Sequence, residues 1–232
     1  LQIVVAFRML PKVVWEMPEF GTFNLHASLL PNYRGAAPIN WAIINGETKT
    51  GVTTFFIDDK IDTGAMILNS EIAIEPEENA GQLHDRLMLL GSETVIDTLK
   101  VIESGNVTTT IQEDNDDIKT AYKLNKENCK IDWTKSGAEI NNLIRGLSPY
   151  PASWCFLKDK EEEQTIKIYE AKLLPETHSH EAGSLICSKK EIKVAVEDGY
   201  IQILSLQLPG KKRMQVAELL NGITFSESAK VY

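Results

Sequence analysis

The sequence is poor in the residues that build metal clusters and disulfide frameworks, with three cysteines and four histidines among 232 residues. Cys129, Cys155 and Cys187 lie far apart with no CxxC pair. That spacing excludes a disulfide scaffold and a zinc knuckle and leaves buried free thiols as the expectation. No apolar run reaches the roughly 18 residues of a transmembrane helix, and the first residues carry no signal-peptide pattern, so a cytoplasmic protein with no membrane partner is expected. GxGxxG, P-loop and GxSxG motifs are all missing, which leaves nucleotide-phosphate binding and esterase chemistry without a motif. Basic side chains are outnumbered, 24 against 33, for a net charge of −9. That balance excludes a general coat for polyanions such as DNA. There is no internal repeat.

What is present is globular: 43% of residues are hydrophobic and 25% charged, enough for one large domain or two modest ones. The charge is uneven. Residues 1–120 hold 8 basic and 18 acidic side chains, and residues 121–232 hold 16 and 15, so only the second half tolerates a phosphate backbone. The chain opens without Met on Leu1-Gln2-Ile3-Val4-Val5-Ala6-Phe7, a β-branched run of the kind buried on both faces of a parallel sheet. Further strands and helices are therefore expected ahead of it in a longer protein.

Pro11 to Met17 reads as a short helix, residues 22–26 as a strand, and Ala36 to Gly46 as a helix with Pro38 in its first turn. Gly51 to Ile57 and Met66 to Ile74 read as strands around the polar loop Asp58-Asp59-Lys60-Ile61-Asp62-Thr63-Gly64, and Asn79 to Ser104 as a long helix that Gly91 interrupts. Residues 106–126 read as a strand remnant and a connection. After a helix over Lys135 to Leu147 come five short strands with turns between them, and then Met214 to Leu220 as a last helix. The pattern predicts an α/β fold: residues 1–124 as a partial Rossmann-like domain with a parallel sheet, and residues 125–232 as a small β-barrel, for which the oligonucleotide-binding type is one option.

Asn24, His26 and Ser28 fall at i, i+2 and i+4, so they share one face if the strand runs that far. They lie where a parallel strand ends, the edge on which α/β proteins place ligands. Asp58 and Asp62 suit a turn whose carboxylates bond backbone amides. An Asp beside His26 would also hold the ring's tautomer and stabilise its imidazolium. His84 sits in an amphipathic helix and the His178/His180 pair in a polar loop, so no metal is expected.

Three of these segments together, Asn24-Leu25-His26-Ala27-Ser28-Leu29-Leu30-Pro31, Tyr33-Arg34-Gly35-Ala36-Ala37-Pro38-Ile39 and Ile61-Asp62-Thr63-Gly64, resemble the signatures of the folate-dependent formyltransferases. Residues 130–140, Ile144-Arg145, residues 149–154 and Pro209-Gly210-Lys211-Lys212-Arg213-Met214 are similar to the C-terminal domain of the branch that formylates methionyl initiator tRNA. The resemblance implies formyl transfer from 10-formyltetrahydrofolate to the α-amino group of that tRNA's methionine, without a metal. It implies catalytic roles for Asn24, His26 and Asp62, and a pterin site at Phe7, Arg8, Met9, Leu10, Ile57 and Asp58. The sequence departs from many relatives at Phe7-Arg8-Met9 and at Lys60. Lys211, Lys212 and Arg213 are the expected tRNA contacts, on the same side as the cleft, and a monomer is expected. Relatives that formylate a sugar amine, or hydrolyse 10-formyltetrahydrofolate itself, share the catalytic signatures and stand as the alternative.

Overall fold

The structure, a computed structural model, describes residues 1–5 and 10–232. It divides into two compact units, one made of Leu1–Ala42, Glu47–Glu78 and Gln82–Lys123, the other of Ile43–Gly46, Asn79–Gly81 and Leu124–Tyr232.

In the first unit, β1 (Gln2–Val5) leads through α1 (Lys12–Trp15) to β2 (Thr22–His26), then β3 (Arg34–Gly35), α2 (Pro38–Ile44), β4 (Lys49–Phe56), β5 (Met66–Ala73), α3 (Ala80–Glu103) and β6 (Thr120–Ala121). The sheet order is β1-β2-β4-β5. β1 and β2 run parallel, and β2–β4 and β4–β5 run antiparallel, so the expected parallel sheet is parallel at β1–β2 only and antiparallel beyond it. The β4–β5 hairpin has a local cause, the single loop of residues 57–65 that joins the two strands, whereas β4 reaches β2 through the longer segment that carries β3 and α2. Among the described residues β1 is the outermost strand, with Ile3 and Val5 42% and 57% exposed.

Alternation sets the two faces of β2. Phe23 is fully buried and packs with Ile67, Ile102 and the α3 residues Val95 and Leu99, while Thr22, Asn24 and His26 project from the other face. Helix α3 runs unbroken through Gly91, where an added Cβ would meet only the flexible end of the Leu25 side chain, at 2.8 Å.

The second unit holds α4 (Gly137–Gly146), β7 (Ser153–Asp159), β8 (Glu162–Pro175), β9 (Leu185–Cys187), β10 (Ile192–Val196), β11 (Gly199–Gln207), β12 (Met214–Gln215), α5 (Val216–Leu219) and β13 (Lys230–Val231). The strands follow the order β13-β7-β8-β11-β10-β9, with β12 beside β11. An antiparallel bridge between Ser184 and Lys230 brings the two ends together, giving a nearly closed barrel. Ile140 and Ile144 of α4 enter the same core as Leu157, Ile168, Val194 and Ile201. Cys129 and Cys155 are buried thiols as expected, but Cys187 is exposed near the sheet's end. Burial pushes the Cys155 thiol up to about 12, against small opposing effects of Trp133 and Lys130, so it is inert at neutral pH.

Candidate active site

The first unit opens into a cleft of about 760 Å³ lined by Asn24, His26, Gly35, Ile57, Asp58 and Asp62, with Leu10, Leu25, Val52, Phe55, Ile61 and Leu87 among its apolar walls. β2 supplies Asn24 and His26 from one face, two residues apart. Both are almost fully buried, at 4% and 6% exposure. The Asn24 side-chain oxygen has no hydrogen-bond partner among the described residues, an unusual state for a buried amide.

His26 is held from behind. After β2 the chain turns back, with the Ser28 hydroxyl donating to the Asn32 carbonyl at 2.7 Å and the Thr53 hydroxyl to the Ser28 carbonyl at 2.7 Å. That turn carries the Tyr33 carbonyl to 2.8 Å from His26 Nε2. A carbonyl only accepts, so Nε2 carries a proton and donates it there. Nδ1 is left 3.7 Å from Asp62 Oδ2. Tyr33 is itself fixed: its N–H donates to the Lys119 carbonyl at 2.5 Å and its hydroxyl to Glu47 at 2.5 Å. Burial pushes the Glu47 carboxyl up, but hydrogen bonds from Lys119 and Tyr33 and the Lys119 charge outweigh it and hold the pKa below its ordinary 4.5.

The loop between β4 and β5 uses its carboxylates differently. Asp58 turns inward, accepting from the Thr63 hydroxyl at 2.8 and 3.0 Å and from the Lys60 N–H at 3.0 Å, so it shapes the loop. Asp62 adopts a left-handed backbone, φ 55°, at a cost of about 1 kcal/mol or more for a residue with a Cβ. Its Oδ2 accepts from the Gly35 N–H at 2.9 Å. Gly35 has no alternative: with φ 123°, a Cβ would lie 2.5 Å from the Ala121 carbonyl oxygen, and the parallel pairing of β3 with β6 requires that approach. The arrangement brings together a buried amide whose oxygen has no partner among the described residues, an imidazole with one nitrogen committed, and a carboxylate oriented by a backbone amide. It can stabilise a developing oxyanion and move a proton.

Residues 1–99 match the family model for formyl transferase, and residues 123–224 match that for the formyl transferase C-terminal domain. The methionyl-tRNA formyltransferase of Flavobacterium johnsoniae is 88% identical over 232 residues, all of this chain and 74% of that protein. That of Flavobacterium psychrophilum is 68% identical over the same 232 residues, 73% of that protein. The chain belongs to the methionyl-tRNA formyltransferase family. Among solved structures, HypX from Aquifex aeolicus in complex with tetrahydrofolic acid superposes with a TM-score of 0.69 at 18% identity, over 94% of this chain and 38% of that one. An N-formyltransferase from Helicobacter canadensis, with folinic acid and dTDP-3-aminofucose, gives 0.62 at 24% identity, over 78% of this chain and 64% of that one. At these identities the likeness is one of fold.

In this member of the methionyl-tRNA formyltransferase family the residues singled out from sequence distribute as follows. Asn24, His26, Leu10, Ile57, Asp58 and Asp62 line one cleft. Ser28 does not, because its hydroxyl closes the turn after β2. Phe7, Arg8 and Met9 lie outside the described residues. His84 contributes to the cleft wall from α3, and His178 Nε2 donates to the Val196 and Gly199 carbonyls, with its ring 4.4 Å from that of Tyr200. Lys211 and Lys212 are exposed after β11. Arg213 is exposed as well, but its guanidinium is ion-paired with Glu170, hydrogen-bonded to the Ser205 hydroxyl at 2.8 Å and stacked 4.7 Å over Tyr169. Gln112 was not legible as a site residue, because its partners are backbone carbonyls about 50 positions away. No helix is long and apolar enough to cross a membrane among the described residues.

Proposed function

We propose that this chain transfers a formyl group from 10-formyltetrahydrofolate to the α-amino group of methionine esterified to initiator tRNA. The observation that carries the reading is the placement of Asn24, His26 and Asp62 around one cleft, 3.7 Å separating His26 Nδ1 from the Asp62 carboxylate, in a chain 88% identical to a protein with that name. The cleft suits a folate: its volume falls within the range of small-molecule sites, its walls are apolar, and the unpartnered Asn24 side-chain oxygen can accept from a donor on the bound molecule.

In the proposed reaction the amine lone pair attacks the formyl carbon and the carbonyl π electrons move onto oxygen. The oxyanion is met by the Asn24 amide and by His26 protonated at Nδ1, the nitrogen that the Tyr33 carbonyl leaves available. Asp62 stabilises that imidazolium and takes the proton lost by the amine, directly or through water. Collapse breaks the bond between the formyl carbon and N10 of the folate, and the proton taken from the amine is passed to N10 as it leaves, which restores the Asp62 carboxylate. Leu10, Ile57 and Asp58 would flank the pterin, and Lys211 and Lys212 would meet tRNA phosphate. The test is transfer of labelled formyl from 10-formyltetrahydrofolate to methionyl-tRNA, with a sugar-nucleotide amine as rival acceptor. Label on tRNA alone supports the reading; label on the sugar amine alone, or release as free formate, replaces it with one of the alternatives.

A further inference from the structure

Gln112 holds the carboxylate loop from outside the cleft. The segment leading to it is fixed by a reciprocal pair of backbone bonds between Thr110 and Met66, both 2.9 Å, at the start of β5. From there its side chain, only 8% exposed, uses both amide hydrogens on one loop: Nε2 donates to the Asp62 carbonyl at 2.9 Å and to the Gly64 carbonyl at 2.8 Å. Its Oε1 accepts from Arg34 Nε at 3.0 Å, so the amide cannot be turned over without losing all three bonds. Arg34 is anchored in turn, its other nitrogens donating to the Asp114 carboxylate at 3.3 Å and the Glu113 carbonyl at 3.2 Å. Gly64 is pressed so closely against β4 that a Cβ would fall 1.6 Å from the Phe56 carbonyl oxygen, so the far end of the clamp is rigid.

Asp62, at the near end, sits in a left-handed conformation that a residue with a Cβ does not favour. Its side chain must nevertheless reach both the Gly35 N–H and His26. We propose that Gln112 is the positioning residue of this site, holding the Asp62 backbone in its left-handed turn so that the carboxylate is presented to His26, with Arg34 fixing the sense of the Gln112 amide. Gln112 touches no substrate in this scheme and acts through Asp62. The proposal rests on the functional reading above, in that Asp62 and His26 are taken as the reacting groups.

The test uses the full chain. Gln112→Glu keeps the shape and the acceptor toward Arg34 but replaces both donors with a group that repels the two carbonyls. It is expected to lower kcat about 10- to 100-fold, the size of effect that small misplacement of reacting groups produces. KM for the folate and for the tRNA should stay within about threefold, because no group that binds either substrate is removed. The ring-nitrogen NMR signals of His26 should move, while a charge-matched control in the barrel hairpin, Gln164→Glu, leaves rate and signals as in the parent. Arg34→Lys keeps the cation and loses the forked donor, and should give a smaller fall in kcat in the same direction. A Gln112→Glu enzyme with kcat within about twofold of the parent, a loss expressed in KM alone, or unmoved His26 signals would each overturn the proposal. Should Gln112→Glu fail to fold, Arg34→Lys decides by the same three criteria. If the parent formylates no tRNA at all, the functional reading fails while the His26 signals still decide the positioning claim.

Discussion

At the scale of single residues, His26 works through one ring nitrogen because the backbone claims the other. The Tyr33 carbonyl fixes the proton on Nε2, so acid–base work falls to Nδ1 beside Asp62. His26→Ala should lower kcat about 10²- to 10⁴-fold, the range for loss of an acid–base group, with the labelled formyl assay as the check; turnover near the parent would refute the role. Asn24 tests the other half of the site. Asn24→Asp has nearly the same shape but sets a carboxylate where the oxyanion develops, and a fall of about 10²- to 10³-fold in kcat is expected. Steady-state kinetics that showed only a raised KM would instead make Asn24 a binding residue.

At the scale of elements, what was readable was what alternation and turn chemistry encode. The strand at residues 22–26 is where the pattern places it, and so is the common face of Asn24 and His26. The loop from Asp58 to Gly64 was legible from its acidic and glycine residues, but the division of labour was not: Asp58 braces the loop and Asp62 faces the histidine. That outcome depends on a left-handed φ at Asp62 and on Gln112, whose bonds to distant carbonyls leave no trace in local composition. The antiparallel pairing after β2 does not show in the sequence, because β4 returns to β2 through a helical segment of the kind that also joins parallel strands, and the pattern within one strand carries no direction. Where local chemistry is complete, expectation is sharper. Ser136 and Glu139 form a capping box at the start of α4, and Ser136→Ala should cost about 1 kcal/mol, measured by denaturant unfolding of the full chain. Glu47 ties the turn after β2 to the segment before β6 through Tyr33 and Lys119. Its lowered pKa means that its contribution is present above pH 4.5, the ordinary value, and is lost as pH falls through the folded-state pKa. Glu47→Gln should therefore flatten the loss of stability below about pH 4.5, and an unchanged acid limb in thermal melts would show the network to be silent.

At the scale of the whole molecule, electrostatics oppose the proposed partner. With 24 basic against 33 acidic side chains, the mean field repels RNA, so binding has to come from local cations and is confined to the half whose charges nearly balance. Of the three adjacent cations after β11, Arg213 is already spent on Glu170 and Tyr169, and a guanidinium so paired has little to offer a phosphate. Lys211 and Lys212 are exposed. Neutralising both lysines should weaken tRNA binding at low salt and flatten the dependence of log affinity on log salt by about 0.7–0.9 for each phosphate left without its cation. The same change should leave folate-dependent hydrolysis or formyl transfer to a small amine untouched, since the cleft is built from other residues. Arg213→Ala separates the two roles of the cluster: it should lower barrel stability by loosening β12 against β8 and β11 without altering the salt slope. Titrations of tRNA at a series of salt concentrations decide the matter. An unchanged slope in the double lysine variant would make these side chains a solvated turn, and a reduced slope in Arg213→Ala would mean that the ion pair with Glu170 opens to admit the RNA.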